Sequence, residues 1–226
     1  MSIVVEQVTE GGAGSFHARE LPTTPVPHLW WFRPDRAAVV LGSTQDESLL
    51  DLGECARRRI EVVKRRSGGG VVLVGPDLTM WLDVLLPRGH VLWDDDIGRA
   101  AWWLGGTWAE SLTELGLDEI QVHRGGLEST EISRLVCFAG RGPGEVFHGR
   151  TKVVGISQRR TRDWARFQCA LSLRWDAVTL AACLVDGSID EDALRGMGSD
   201  VDLDQSVIDE VVTSRFTSRL TSRLLN

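Results

Sequence analysis

Three consecutive glycines, Gly68, Gly69 and Gly70, follow two arginines in the segment Lys64-Arg65-Arg66-Ser67-Gly68-Gly69-Gly70-Val71-Val72. Glycine loses more conformational freedom on folding than any other residue, so such a run is stable only where no side chain fits or where φ must be positive. The run stands between two strand-like stretches, Ile60 to Val63 and Val71 to Val74. The residues leave two readings open. One is a glycine-bearing hairpin turn joining the two stretches. The other is an anion-binding loop, in which fixed cations stand beside a backbone that a phosphate or carboxylate can approach closely.

The rest of the composition narrows the classes. With 226 residues, 42% hydrophobic and 25% charged, the chain can bury a substantial core without disulfides and lies far from the composition of disordered proteins. A net charge of −7 disfavours a general nucleic-acid binder. It permits a local positive site, because Arg57, Arg58, Arg59, Lys64, Arg65 and Arg66 place six cations within ten residues. The four cysteines, Cys55, Cys137, Cys169 and Cys183, are widely spaced and the five histidines are scattered, so no metal-ligand motif is present. No apolar run approaches the length of a membrane span and no signal-peptide pattern opens the chain. The expectation is a cytoplasmic protein with reduced thiols and no membrane partner.

Along the chain, Ile3 to Val8, His28 to Phe32 and Ala37 to Leu41 read as strands, the first two separated by a proline-rich link. Thr44 and Glu47 have the spacing of a capping box that opens a helix toward Cys55. Leu78 to Leu86 is apolar on both faces apart from Asp83, as in a strand buried between layers. Asp94, Asp95 and Asp96 form an acidic start to a helix whose apolar positions run from Ile97 to Leu115. Ile120 to His123, Glu145 to Phe147, Lys152 to Ser157 and Phe167 to Arg174 then read as an antiparallel meander, followed by a helix at Ala177 to Leu184. An amphipathic helix is expected over Val207 to Leu224. Its Thr-Ser-Arg repeat sets Arg215, Arg219 and Arg223 on one stripe and Phe216, Leu220 and Leu224 on another, and the reading is a solvated basic edge on a packed helix.

A second constellation occupies residues 136–160. Gly144, Gly149, Arg150 and Thr151 imitate a nucleotide P-loop, but such a loop must open a helix and Val153-Val154-Gly155-Ile156 is β-like. Cys137 is open to two readings, a thiolate nucleophile activated by Lys152 or Arg141, or a small apolar residue at a strand end. Lys152 is expected to point inward, either as a point charge for a phosphate or carboxyl oxygen or as a rim lysine reaching water.

Taken together, Arg65 to Val72, Lys152 to Arg160 and the upstream Val39 to Gln45, with its Gly42-x-x-Gln45, resemble the paired signature of the lipoate-protein ligase, biotin-protein ligase and octanoyltransferase superfamily. The resemblance implies an α/β (α+β) fold with a mixed, largely antiparallel sheet and flanking helices, similar to class II synthetases. It implies a catalytic domain over residues 1–185, with residues 186–226 as a C-terminal linker and helix packed on it.

In the ligase branch, lipoate or octanoate reacts with ATP, accompanied by magnesium, to give an acyl-adenylate that a carrier lysine attacks. The carrier would be a lipoyl domain or a glycine-cleavage H-type protein. By this resemblance Arg65, Arg66, Ser67, Gly68, Gly69, Gly70, Val72, Gly155, Ser157 and Gln158 bind the acyl-adenylate, and Lys152 contacts the carboxylate. The ATP-independent cysteine octanoyltransferases are the rival. They resemble the chain at Asp77-Leu78-Thr79, at Cys137-Phe138, at Glu145 and at Lys152, with Cys137 taking an octanoyl group from acyl carrier protein. The family histidine after the glycine loop is replaced by Val74, which leaves a third reading, a non-catalytic acyl or nucleotide binder. Gly70 follows the ligase loop.

Overall fold

The computed structural model describes residues 2–185, 189–201 and 214–225. The chain begins with β1 (Val4–Val8), the short α1 (Ala13–Ala18), β2 (His28–Phe32) and β3 (Ala38–Leu41). It continues through α2 (Leu52–Arg57), β4 (Glu61–Lys64), β5 (Val72–Val74) and β6 (Thr79–Pro87). After α3 (Trp102–Glu114) come β7 (Ile120–Val122), α4 (Glu131–Leu135), β8 (Val146–His148), β9 (Thr151–Arg160) and β10 (Trp164–Ser172). The last elements are α5 (Ala177–Cys183), α6 (Glu191–Arg195) and α7 (Thr217–Leu225).

Two sheets face each other. The larger has the order β1-β2-β6-β10-β9-β8-β7, antiparallel except for the β1–β2 pair, and the smaller has the order β4-β3-β5. The sequence dictates this layering through β6, which is buried along its whole length. Its Met80, Leu82, Val84 and Leu86 enter one core with Leu104, Trp108 and Leu112 of α3, while Trp81 and Leu85 on the opposite face enter another with Ala38, Val40, Val63 and Val74 of the smaller sheet. Strand alternation separates the two sets, because successive side chains point to opposite faces. The far face of the smaller sheet, Val39, Leu41 and Leu73, packs on α2, α5 and α6 through Cys55, Leu180 and Leu194.

The terminal helix covers the outer face of the large sheet. Phe216, Leu220 and Leu224 are fully buried, and the Phe216 ring lies 4.0 Å from that of Trp108 and 5.8 Å from that of Trp31. Truncating an aromatic anchor of this kind to alanine costs about 3–5 kcal/mol. The arginine stripe is less free than expected: Arg219 pairs with Glu110 (2.7 Å) and Glu114, and Arg223 with Glu110 (2.6 Å), which ties α7 to α3. Residues 207–213 of the expected helix lie outside the described residues.

The antiparallel meander β7-β8-β9-β10 matches the expectation, as do β2, β6 and α5 within a residue or so. Three local readings change. The Asp94–Asp96 run does not open the long helix, which begins at Trp102; Asp94 accepts from the amide of Asp96 and Asp96 from that of Gly98, both at 2.8 Å. Aspartates that bond the backbone two residues on compete with helical hydrogen bonding. Thr44 and Glu47 do not form a capping box. Asp46 and Asp51 cap a single 3-10 turn and α2 instead, accepting from Ser48 (3.0 Å) and Glu54 (2.8 Å), in line with the strong N-cap preference of aspartate. The glycine run is also no hairpin: β4 and β5 flank β3 without pairing, so residues 65–71 cross over the end of β3.

Candidate active site

A cleft opens between the two sheets, with about 470 Å³ of empty space including its open mouth. Val40, Val72 and Val74 form one wall, and Trp81, Gly155, Ser157, Gln168 and Ala170 of the large sheet form the other. Phe138 and the Cys137 thiol close one side, with Arg65 and His17 supplying polar atoms. The interior is apolar with a few convergent polar groups, the usual make-up of a small-molecule site. Gly155, Ser157, Val72, Arg65 and Cys137 of the sequence reading therefore meet in one place.

The crossover sets the shape of the cleft rim. Gly69 has φ of +102°, a conformation glycine adopts without strain. Gly70 is required by contact: a Cβ there would stand 2.7 Å from the amide nitrogen of Cys137, the Leu135 carbonyl and the Val136 carbonyl carbon. The same approach permits Val71 to donate to Leu135 (2.7 Å) and Cys137 to donate to Val71 (2.9 Å). Gly42 faces the Gly69 carbonyl so closely that a Cβ would overlap it. Gln45 then ties the parts together, accepting from the Gly42 amide at 3.0 Å and donating to the carbonyls of Arg134 (2.9 Å) and Leu135 (3.0 Å).

Arg65 and Arg66 play different parts. Arg65 is buried, and its guanidinium donates to the carbonyls of Gly68 (3.0 Å), Gly70 (2.8 Å) and Val40 (3.5 Å), so it holds the loop from within. The amides of Gly68, Gly69 and Gly70 donate to no acceptor among the described residues. Ser67 donates to Ser157 at 3.1 Å, pinning the loop to β9. Arg66 is exposed beside it, and Arg159 lies two residues beyond Ser157 on the same face of β9. Neither forms a salt bridge among the described residues. Burial and the positive charges of Arg66 and Arg166 push the Arg159 guanidinium below its usual range, with Glu20 acting in the opposite direction. Crowded cations that form no salt bridge among the described residues, with Glu20 answering only in part, favour an anion between them.

Lys152 does not reach into the cleft. Its ammonium lies 2.7 Å from Glu145 and donates to the Cys137 carbonyl at 2.8 Å, behind the wall formed by Phe138. The inward orientation expected from the sequence holds, and the expected contact with a substrate carboxylate would require the ammonium to leave Glu145. Gln158 sits on the strand face opposite Ser157, its terminal amide against the Arg160 guanidinium at 2.6 Å. It does not line the cleft.

Sequence reading missed the polar wall. Asp83, fully buried, accepts from Trp81 (2.8 Å), from Arg166 at Nε (2.6 Å) and Nη2 (2.5 Å), and from Gln168 (3.3 Å). Burial lifts the pKa of Asp83, and Arg166, Trp81 and Gln168 act against that lift. Gln168 also lies 3.3 Å from Nδ1 of His17, whose ring rests 4.7 Å from that of Trp81. Burial, then the charges of Arg65 and Arg166, depress the His17 pKa to about 3, so the ring is neutral at physiological pH. The signal available in the sequence was the lone charge of Asp83 within an apolar strand, matched by Arg166 and Gln168 at alternate positions in β10.

Among the described residues no helix is long and apolar enough to cross a membrane, and no group of three His, Cys, Asp or Glu side chains has the arrangement of a metal site. A family profile described as the lipoyl protein ligase A/B catalytic domain matches residues 16–222. No curated protein sequence matches the chain. Among solved structures, a candidate lipoate protein ligase from Thermoplasma acidophilum with bound lipoic acid is similar with a TM-score of 0.69 at 17% identity, over 98% of this chain and 87% of that one. A lipoate-protein ligase A bound with ATP gives 0.69 at 18% identity, over 97% and 85%. A bipartite lipoate protein ligase studied with its E2 lipoyl domain, also from T. acidophilum, gives 0.65 at 16% identity, over 97% and 85%. At such identities the likeness is one of fold.

Proposed function

The chain belongs to the lipoyl protein ligase A/B catalytic-domain family, and from that premise we propose that it activates a lipoyl or octanoyl acid with ATP and transfers the acyl group to a lysine of a lipoyl-type carrier domain. One observation carries this reading. The apolar cleft is lined by Arg65 and Ser157, which hold the glycine loop beside it; the amides of Gly68 to Gly70 have no acceptor, and Arg66 and Arg159 form no salt bridge, among the described residues. Two arginines call for more negative charge than a single carbonyl oxygen develops, and a phosphoryl group supplies it.

The chemistry follows from that placement. A carboxylate oxygen of the acid attacks the α-phosphorus of ATP and pyrophosphate leaves. The amine of the carrier lysine then attacks the acyl carbon, AMP leaves and a proton is released to solvent. The glycine amides and Arg66 stabilise the oxygen charge that grows in both steps, and the apolar walls keep water from the mixed anhydride. Glu145, the carboxylate behind the cleft wall, is already engaged by Lys152. Magnesium accordingly travels on the triphosphate in this reading.

A second reading rests on the Cys137 thiol, which lines the cleft 3.7 Å from where a Cβ of Gly69 would stand. In that route the sulfur attacks the thioester carbon of an octanoyl carrier protein, the carrier thiol leaves, and the lysine amine takes the acyl group from Cys137. ATP–pyrophosphate exchange separates the two. Exchange that depends on lipoate or octanoate and persists in Cys137→Ala supports the ligase. No exchange with any such acid, together with an octanoyl adduct on Cys137, replaces it with the thioester route.

A further inference from the structure

The polar side chains around the cleft are nearly all committed to one another. Arg65 uses its guanidinium on the carbonyls of Val40, Gly68 and Gly70, and Ser67 pairs with Ser157. Asp83 is surrounded by donors from Trp81, Arg166 and Gln168, so the Gln168 amide must present its nitrogen to that carboxylate. The same nitrogen faces Nδ1 of His17 at 3.3 Å, and Nδ1 is therefore the acceptor. A neutral imidazole that accepts at Nδ1 carries its proton on Nε2. That N–H makes no hydrogen bond among the described residues, and His17 lines the cleft beside Trp81.

We propose that His17, oriented by Gln168, is a specificity-determining residue whose Nε2–H meets a hydrogen-bond acceptor on the acyl chain away from its carboxyl end. This rests on the reading that the cleft holds an acyl chain. In that reading the glycine amides and Arg66 meet the carboxyl end, which leaves the imidazole for the rest of the chain. A plain octanoyl chain offers it nothing, and filling the cleft with one buries the donor unpaired. A chain bearing a distal heteroatom, such as the sulfur of a dithiolane, satisfies it. An uncharged donor suits a neutral acceptor, and burial between two arginines keeps the ring uncharged.

Calorimetric binding of lipoamide and octanamide tests this without requiring turnover. The intact protein is expected to bind lipoamide about three- to tenfold more tightly, the worth of one net hydrogen bond. His17→Phe is expected to bring the ratio to about one, His17→Asn to preserve most of it, and Gln168→Leu to lower it by releasing the ring. Thermal melts report whether each variant folds, and if the phenylalanine variant does not, Gln168→Leu alone carries the question. An unchanged ratio in the folded variants, a wild-type ratio of one, or no binding of either amide overturns the proposal. Retained preference with no acyl transfer would sink the transfer reading and leave this one standing. Transfer without preference would do the reverse.

Discussion

Lys152 and Glu145 form an ion pair of 2.7 Å between side chains that are 1% and 6% exposed. The same carboxylate oxygen, Oε2, also accepts from the Gly142 amide at 2.5 Å, and the ammonium donates to the Cys137 carbonyl at 2.8 Å. The pair thus joins β9 to the segment that carries the cleft thiol. Its first consequence is structural: the lysine positions Cys137 and Phe138 from behind. Contact with a substrate carboxylate would require it to leave Glu145.

Breaking the pair from one side leaves a charge buried without compensation. Glu145→Leu and Lys152→Met are each expected to lower stability by about 3–5 kcal/mol, with the double variant less destabilised than either single one. Urea unfolding of the three proteins checks this. Equal and additive losses would mean that the two side chains act independently.

The three loop glycines differ in what they tolerate. A Cβ at Gly70 meets backbone atoms of residues 135–137 at 2.7 Å, whereas a Cβ at Gly68 meets nothing within 4 Å. Gly70→Ala is expected to cost several kcal/mol or to prevent folding. Gly68→Ala is expected to leave stability unchanged or raise it by about 0.4–1 kcal/mol through the unfolded chain. Thermal melts of both variants decide between packing and conformational freedom as the reason for the run.

The half-buried imidazole of His17 makes stability depend on pH in a stated direction. His17 titrates near 3 in the fold against 6.5 for an ordinary histidine, because burial and then Arg65 and Arg166 disfavour its charged form. As pH falls, the unfolded chain binds the proton first. The contribution is complete above pH 6.5 and is lost on acidification toward 3, by up to about 1.4 kcal/mol per pH unit. Urea midpoints through that window should show a slope that His17→Asn flattens.

The thiols should separate by reactivity. Cys55, Cys169 and Cys183 are buried, and burial pushes all three above the usual thiol range, Cys183 to about 12. Cys137 is partly exposed in the cleft. Iodoacetamide on the native protein, read by peptide mass spectrometry, should label Cys137 first, and a cleft-filling acyl amide should slow that labelling. Faster labelling of any buried thiol would contradict the packing described.

Much of this architecture is legible in the residues because the relevant signals are local. The apolar run of β6, the aromatic His28 to Phe32 strand and the glycine-punctuated meander each declare a strand through their own composition. The glycine run and Cys137 likewise stand out by their own local composition. What the sequence does not disclose is long-range. Gly70 is fixed by residues 135–137, some sixty-five positions away, and the neutral state of His17 depends on its burial and on the distant charges of Arg65 and Arg166. The inward orientation of Lys152 is legible from its strand, but its partner Glu145 decides which side of the cleft wall it occupies. The helix expected from Asp94 failed because aspartate side chains bonded their own backbone, a competition that apolar periodicity does not register.

Intact-mass measurement of a lipoyl domain incubated with this protein, ATP and lipoate tests the central claim most directly. The account predicts a lipoyl domain heavier by one lipoyl group, formed only when protein, acid and ATP are all present, and not formed when the acceptor lysine of the domain is replaced. A lipoyl domain that stays unmodified with lipoate or octanoate and ATP would contradict it.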